Sequence, residues 1–199
     1  MLTLLTGKKI TEYTNASTTQ LVSPITKNWD FELIEKLGYP KHIFTEIQLP
    51  GSTVGNLTKE IQDIVGFNTT VVLPATHDTG SAVLAVPSNE DALYISSGTW
   101  SLMGCELKEA NSSMESKKRN FTNEGGVDYR FRYLKNIMGM WMINSMKKEI
   151  GQDYSFNEIC GMAYEESIES IVDAQADVFL APDSMVKAVQ DECARTNQQ

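Results

Sequence analysis

The sequence is poor in the residues that build disulfide frameworks, metal centres and hydrolytic triads. Its three cysteines, Cys105, Cys160 and Cys193, are odd in number, widely spaced and form no Cys-x-x-Cys pair. That argues against a disulfide scaffold and a cysteine-based zinc site. There are two histidines, His42 and His77, and no Gly-x-Ser-x-Gly elbow, which leaves a hydrolase triad poorly supported. Basic residues are outnumbered, 17 Lys+Arg against 26 Asp+Glu, for a net charge of −9. This is the wrong sign for a surface that tracks phosphate backbones, so no nucleic-acid partner is expected. No apolar run approaches the ~18 residues that span a bilayer; the longest candidates are Val71-Val72-Leu73 and Ile137–Ile143. No membrane partner is expected either. Met1-Leu2-Thr3-Leu4-Leu5 is too short for a secretory signal and has no preceding basic residues. Without a signal, the five Asn-x-Ser/Thr sites beginning at Asn15, Asn56, Asn68, Asn111 and Asn120 read as chance matches. The composition is that of a soluble, cytoplasmic globular chain of 199 residues, long enough for one domain or two partial ones.

What is present is a series of local start and stop signals. Thr-rich residues 3–20 alternate loosely and suit strands or extended backbone. Asp30 predicts the cap of a helix over Phe31–Leu37, with Leu33, Ile34 and Leu37 on one face and Gly38 and Pro40 as the stop. Thr58 predicts a second helix through Val65, closed by Gly66. Thr70–Ala75 reads as a buried strand leading through Thr76-His77-Asp78-Thr79-Gly80-Ser81 into a helix over Ala82–Val86. Pro87–Asp91 is a polar break and the expected domain boundary. Leu93–Ile95 and Trp100–Leu107 read as strands around the turn Ser96-Ser97-Gly98-Thr99. Glu109–Asn120 reads as a solvated loop, and Gly125-Gly126 as a turn. Leu134–Ile150 reads as the strongest helix, with Leu134, Ile137, Met138, Trp141 and Met142 at helical spacing. Ser155–Glu158 is a capping box, and Pro182-Asp183 opens a last amphipathic helix.

Two places have residue types suited to chemistry. A strand that ends in polar residues at a helix start is where open α/β sheets place ligands. At His77-Asp78-Thr79-Gly80 a carboxylate could take the proton of a substrate hydroxyl, and Gly80 would allow close approach. The plainer alternative is that Asp78 caps the helix and His77 is buried and hydrogen-bonded. The Ser96–Ser101 turn could cradle a phosphate with its hydroxyls and N–H groups, or be a simple hairpin turn. Neither G-x-x-x-x-G-K-[ST] nor G-x-G-x-x-G occurs. Asn136 and Asn144, eight residues apart on the expected helix, would lie within about 80° of one another around its axis. The methionines at 138, 140, 142 and 146 read as core.

Taken in order, Leu5–Lys8, Glu12–Gln20, His77–Val83, Tyr94–Gly104, Asn120–Asp128 and Leu134–Trp141 resemble the FGGY family of carbohydrate kinases from end to end. The runs YISSGTWSLMG, NFTNEGGVD and LKNIMGMW resemble the branch that phosphorylates L-rhamnulose. The resemblance implies an actin-like, ribonuclease-H-like ATPase fold with parts of two domains meeting at a cleft. Residues 1–87 would be the end of the first domain and 88–199 the beginning of the second. It implies transfer of the ATP γ-phosphoryl group to O1 of L-rhamnulose, with Mg2+ assisting. Asp78 would be the general base; His77, Asp78, Thr79 and Asn136 would bind the sugar; Thr99 and Asn144 would bind the nucleotide. Phosphoryl transfer of this kind needs alignment, charge neutralisation and one base, with no covalent nucleophile. Asn144 stands where the family usually carries Gln, and Gly80 where Ala is common. The same resemblance implies that the family's glycine-containing phosphate loop and its C-terminal glycine-rich segment fall outside these 199 residues, which alone would be inactive. Another sugar kinase of the family, acting on fuculose, xylulose or glycerol, or a non-catalytic actin-like binding module, are the competing expectations.

Overall fold

The computed structural model describes residues 2–86, 92–98, 100–151 and 153–198. The chain divides into two compact units, Met1–Tyr94 with Gly104–Lys135, and Ile95–Met103 with Asn136–Gln199. Among the described residues no helix is long and apolar enough to cross a membrane.

The first unit begins with α1 (Leu2–Thr6), β1 (Thr11–Glu12) and α2 (Tyr13–Ser17). The stretch over 3–20 expected as strands or extended backbone is therefore half helical, with only Thr11–Glu12 as strand. The reason is local: the Glu12 carboxylate accepts the N–H groups of Thr14 and Asn15. The hydroxyls of Ser17, Thr18 and Thr19 bond back to carbonyls three residues earlier. Helix α3 (Phe31–Lys36) is capped by Asp30, which accepts from Leu33 N at 3.0 Å. Of its expected apolar face, Ile34 is fully buried, while Leu33 and Leu37 stay exposed. Ile34 packs with Ala16 and Trp29 into a small core, beside β2 (Ile47–Gln48), which runs parallel to β1.

Strand β3 (Thr53–Asn56), helix α4 (Lys59–Val65) and strand β4 (Thr70–Val72) follow. Thr58 caps α4 and Gly66 closes it at φ 81°, a left-handed backbone that favours glycine. β4 pairs antiparallel with β3 in a two-stranded ribbon, so it is not the buried strand expected: Thr70 and Val72 are exposed and the fully buried residue is Leu73. Helix α5 (Asp78–Leu84) comes next.

Then come β5 (Tyr94–Ser97), β6 (Ser101–Leu107), α6 (Met114–Lys118), β7 (Thr122–Gly125) and β8 (Phe131–Ile137). The strands form one sheet in the order β5-β6-β8-β7. Helix α6, capped by Ser113, replaces part of the solvated loop expected over 109–120. β7 and β8 are the antiparallel arms of a hairpin around the expected Gly125-Gly126 turn, with Glu124 opposite Arg132. Gly104 has no room for a side chain, because a Cβ there would sit 2.6 Å from Leu134 Cβ and 2.8 Å from the Tyr94 hydroxyl.

The main correction concerns residues 134–150. The chain is strand β8 to Ile137 and becomes helix α7 (Gly139–Ile150) only afterwards. Leu134 and Ile137 fit helical spacing by sequence, but pairing with β7 and with β6 captures them in a strand, and tertiary pairing outweighs propensity here. In the second unit, α7 is joined by α8 (Phe156–Glu165) and α9 (Met185–Arg195). The capping box at Ser155 and Glu158 is complete. Helix α9 is capped by Ser184, two residues after the expected start. Met138, Met142, Phe179 and Met185 form the core, with Trp141 and Met146 against it; of the methionine stripe expected there, Met140 lies outside this cluster. The Trp141 indole N–H donates to the Phe179 carbonyl at 3.2 Å. The polar break at 87–91 lies outside the described residues.

Candidate active site

The site is assembled around the turn that joins β4 to α5. Its anchor is Glu12, a carboxylate only 4% exposed. It accepts from Thr14 N at 2.7 Å, Thr14 Oγ1 at 2.5 Å and Asn15 N at 3.1 Å. It also accepts from Thr76 N at 3.0 Å and Thr76 Oγ1 at 2.8 Å, across 64 residues of sequence. Thr14 Oγ1 in turn accepts from His77 N at 3.3 Å. One buried anion therefore caps α2 and fastens the turn that carries His77 and Asp78. Burial alone would raise the Glu12 pKa, but the hydrogen bonds from Thr14 and Thr76 outweigh it and hold the carboxyl below its ordinary value.

His77, and not Asp78, caps α5: its Nδ1 accepts from Gly80 N at 3.2 Å. This frees the Asp78 carboxylate from the capping role considered above. Asp78 is exposed at the first position of the helix, where the helix dipole favours an anion. Its Oδ1 accepts from Thr79 N at 2.6 Å and Thr79 Oγ1 at 3.3 Å. These bonds lower its pKa, so it is an ionised base near neutrality. Gly80 is buried at the back of the turn, where an added Cβ would lie 3.4 Å from Arg132 Cζ and 3.5 Å from Thr14 Cβ.

Behind His77 lies Arg132, a fully buried arginine on β8. Its Nη2 is 3.0 Å from His77 Nδ1 and 2.8 Å from Glu124 Oε2. The contact with Glu124 is a close ion pair that is not aligned as a hydrogen bond. Arg132 Nε donates to the Gly125 carbonyl at 3.4 Å. Gly125 N donates to Ser17 Oγ at 2.7 Å, tying the same hairpin to α2. The Tyr94 hydroxyl belongs to this neighbourhood; burial pushes its pKa to about 12, so it stays protonated.

Glu12, Thr76, Arg132 and Glu124 carry the geometry of this site and have no role in the sequence reading. Glu12 lies in the quoted Glu12–Gln20 run, but nothing local shows that its partner is Thr76. Arg132 shares β8 with a second charged residue, Lys135, so no local signal in the sequence singles it out. Of the remaining expected site residues, Asn136 is exposed on β8 and Asn144 is half-buried in α7. They do not share a helix, so the angular argument that paired them fails. With its amide oriented to satisfy both atoms, Gln175 donates to the Asn136 carbonyl and accepts from Met138 N. Thr99 lies outside the described residues; next to it, Ser97 and Ser101 are joined through their hydroxyls at 3.1 Å.

Residues 1–85 match the N-terminal domain of the FGGY family of carbohydrate kinases. The chain is 52% identical over 195 residues to the rhamnulokinase of Oceanobacillus iheyensis and 50% identical over 196 residues to that of Halalkalibacterium halodurans. Each match covers 98% of this chain and 42% of the relative. The chain is thus similar to FGGY carbohydrate kinases along nearly its whole length. Solved structures of the family agree in fold. A xylulose kinase from Lactobacillus acidophilus superimposes with a TM-score of 0.70 at 18% identity, over 82% of this chain and 33% of that one. A gluconate kinase from the same organism gives 0.69 at 19% identity, with the same coverage. The actin-like, ribonuclease-H-like fold expected for the FGGY family is thus the fold of this chain, which spans about two fifths of the length of the curated relatives it matches.

Proposed function

We propose that this chain is the part of an FGGY sugar kinase that carries the general base, and that the kinase transfers the ATP γ-phosphoryl group to O1 of L-rhamnulose. The observation that carries the reading is the capping of α5 by His77. It leaves Asp78 exposed and ionised at the start of the helix, its carboxylate oriented by Thr79. In the reaction Asp78 accepts the proton of the attacking hydroxyl as that oxygen bonds to the γ-phosphorus and ADP departs. His77, Thr79 and Asn136 bind the ketose, and Thr99 and Asn144 the nucleotide, which enters with Mg2+ as MgATP. Residues 1–87 are assigned to the end of the first domain and 88–199 to the beginning of the second. The rhamnulokinase relatives support the choice of sugar, and a cytoplasmic setting is proposed with it.

The test is ketose-dependent ADP release by the intact protein on L-rhamnulose, L-fuculose, xylulose and glycerol. L-Rhamnulose is expected to give the highest kcat/KM. Asp78→Asn is expected to lower kcat by about 10²–10⁴-fold, the usual contribution of a positioned base. Full activity in that variant would remove Asp78 from the mechanism, and preference for another sugar would reassign the substrate. The isolated 199 residues are expected to release no ADP.

A further inference from the structure

The two hydrogen-bond partners of His77 Nδ1 decide more than the position of the ring. Gly80 N–H can only donate, and so can the Arg132 guanidinium, 3.0 Å away. Nδ1 is therefore unprotonated, and the ring proton of the neutral imidazole resides on Nε2. Arg132 is in turn held rigidly. It is fully buried, paired in distance with Glu124 across the β7–β8 register, and bonded through Nε to the Gly125 carbonyl. A lysine or a loop arginine would not be constrained this way. The nearby Glu12 carboxylate holds the other side of the turn through Thr76 and Thr14 and does not touch the ring.

We infer that Arg132 is a positioning residue that selects the Nε2–H tautomer of His77, so that the imidazole next to Asp78 offers a hydrogen-bond donor, and never an acceptor, to a bound ligand. The ligand atom it fits is an oxygen that accepts: a sugar carbonyl, or a hydroxyl whose own proton is directed to Asp78. The identity of that ligand rests on the kinase reading above; the tautomer does not. A ketose offers both oxygens in adjacent positions, which a donor and a base side by side can hold in register.

The test is the 15N chemical shifts of the His77 ring in protein labelled with 15N-histidine, assigned by their loss in His77→Gln. At a pH where the ring is neutral, Nε2–H is expected to exceed Nδ1–H by about tenfold or more, the bias that a charge-assisted hydrogen bond supplies. Arg132→Met combined with Glu124→Gln, which leaves no unpaired buried charge, is expected to reduce that ratio several-fold. Arg132→Lys is expected to restore part of it. The same double variant should lower kcat/KM for the ketose at least several-fold while leaving the KM for ATP near its original value. A wild-type His77 protonated on Nδ1 overturns the inference whether or not any variant folds, and so does an unchanged ratio in a folded double variant. The tautomer measurement needs no turnover. Nε2–H without ketose-dependent ADP release would overturn the kinase reading and leave the role of Arg132 standing.

Discussion

The turn at residues 76–80 and the helical layer around Phe179 are held by opposite kinds of contact. The first is pinned by directional polar contacts: five hydrogen bonds to Glu12 and a guanidinium against His77. The second is filled by Met138, Met142, Met185 and Phe179, whose contacts are non-directional and whose methionines adapt to irregular gaps. Reacting groups must be placed to within a fraction of an ångström, and hydrogen bonds define direction where apolar packing defines mainly volume. The polar region should therefore be brittle to changes of one or two atoms, and the methionine layer tolerant of isosteric ones.

The largest effect is expected at the brittle anchor. Glu12→Ala leaves the N–H groups of Thr14, Asn15 and Thr76 without their buried acceptor, and should destabilise the fold by about 3 kcal/mol or more, read from the denaturant midpoint. A midpoint shift equivalent to under about 1 kcal/mol would show that water replaces the carboxylate and that the turn is not pinned as described. The same group gives a pH dependence of known sign. Its folded pKa is lowered from 4.5, so its stabilising contribution is fully present above the unfolded value and is lost as pH falls through the lower, folded one. Denaturant titrations at pH values on either side of 4.5 should show this loss in the wild type and a smaller one in Glu12→Gln.

In the methionine layer, Met142→Leu conserves volume and should cost less than about 1.5 kcal/mol. A cost as large as that of Glu12→Ala would erase the distinction between the two regions. The smallest effect is expected at Gly80. Its helical backbone and the 3.4–3.5 Å spacing to Arg132 and Thr14 leave room for a methyl group. Gly80→Ala should raise stability by about 0.5–1 kcal/mol through helix propensity alone, which a small upward shift of Tm would register. A loss would mean that the guanidinium cannot give way there.

The helix ends were legible because capping is chemistry between neighbours. Asp30, Thr58 and Ser155 each cap the helix that their spacing predicts, and Gly66 closes one of them. The Gly125-Gly126 turn and the core positions of Met138, Met142 and Met146 were legible for the same reason, since turn residues and helical periodicity act over a few positions. The segment after residue 130 was not. Leu134 and Ile137 satisfy helical spacing, yet they enter a strand because β6 and β7 are there to pair with them. The candidate site divides along the same line. His77, Asp78 and Thr79 could be picked out as a polar turn ahead of a helix, but which of them caps α5 could not.

By itself, then, the amino-acid sequence determined the caps of α3, α4 and α8, the packing of Met138, Met142 and Met146 in the second unit, and which polar turn offers a carboxylate. Each of these follows from interactions among residues a few positions apart. Only the tertiary structure decided that Glu12 reaches Thr76 and that Arg132 reaches His77, pairs separated by 64 and 55 residues. Those contacts exist because chain pairing buries charged groups together. A buried charge must find its partners wherever the fold brings them, since leaving it unpaired would cost more than the fold can spare.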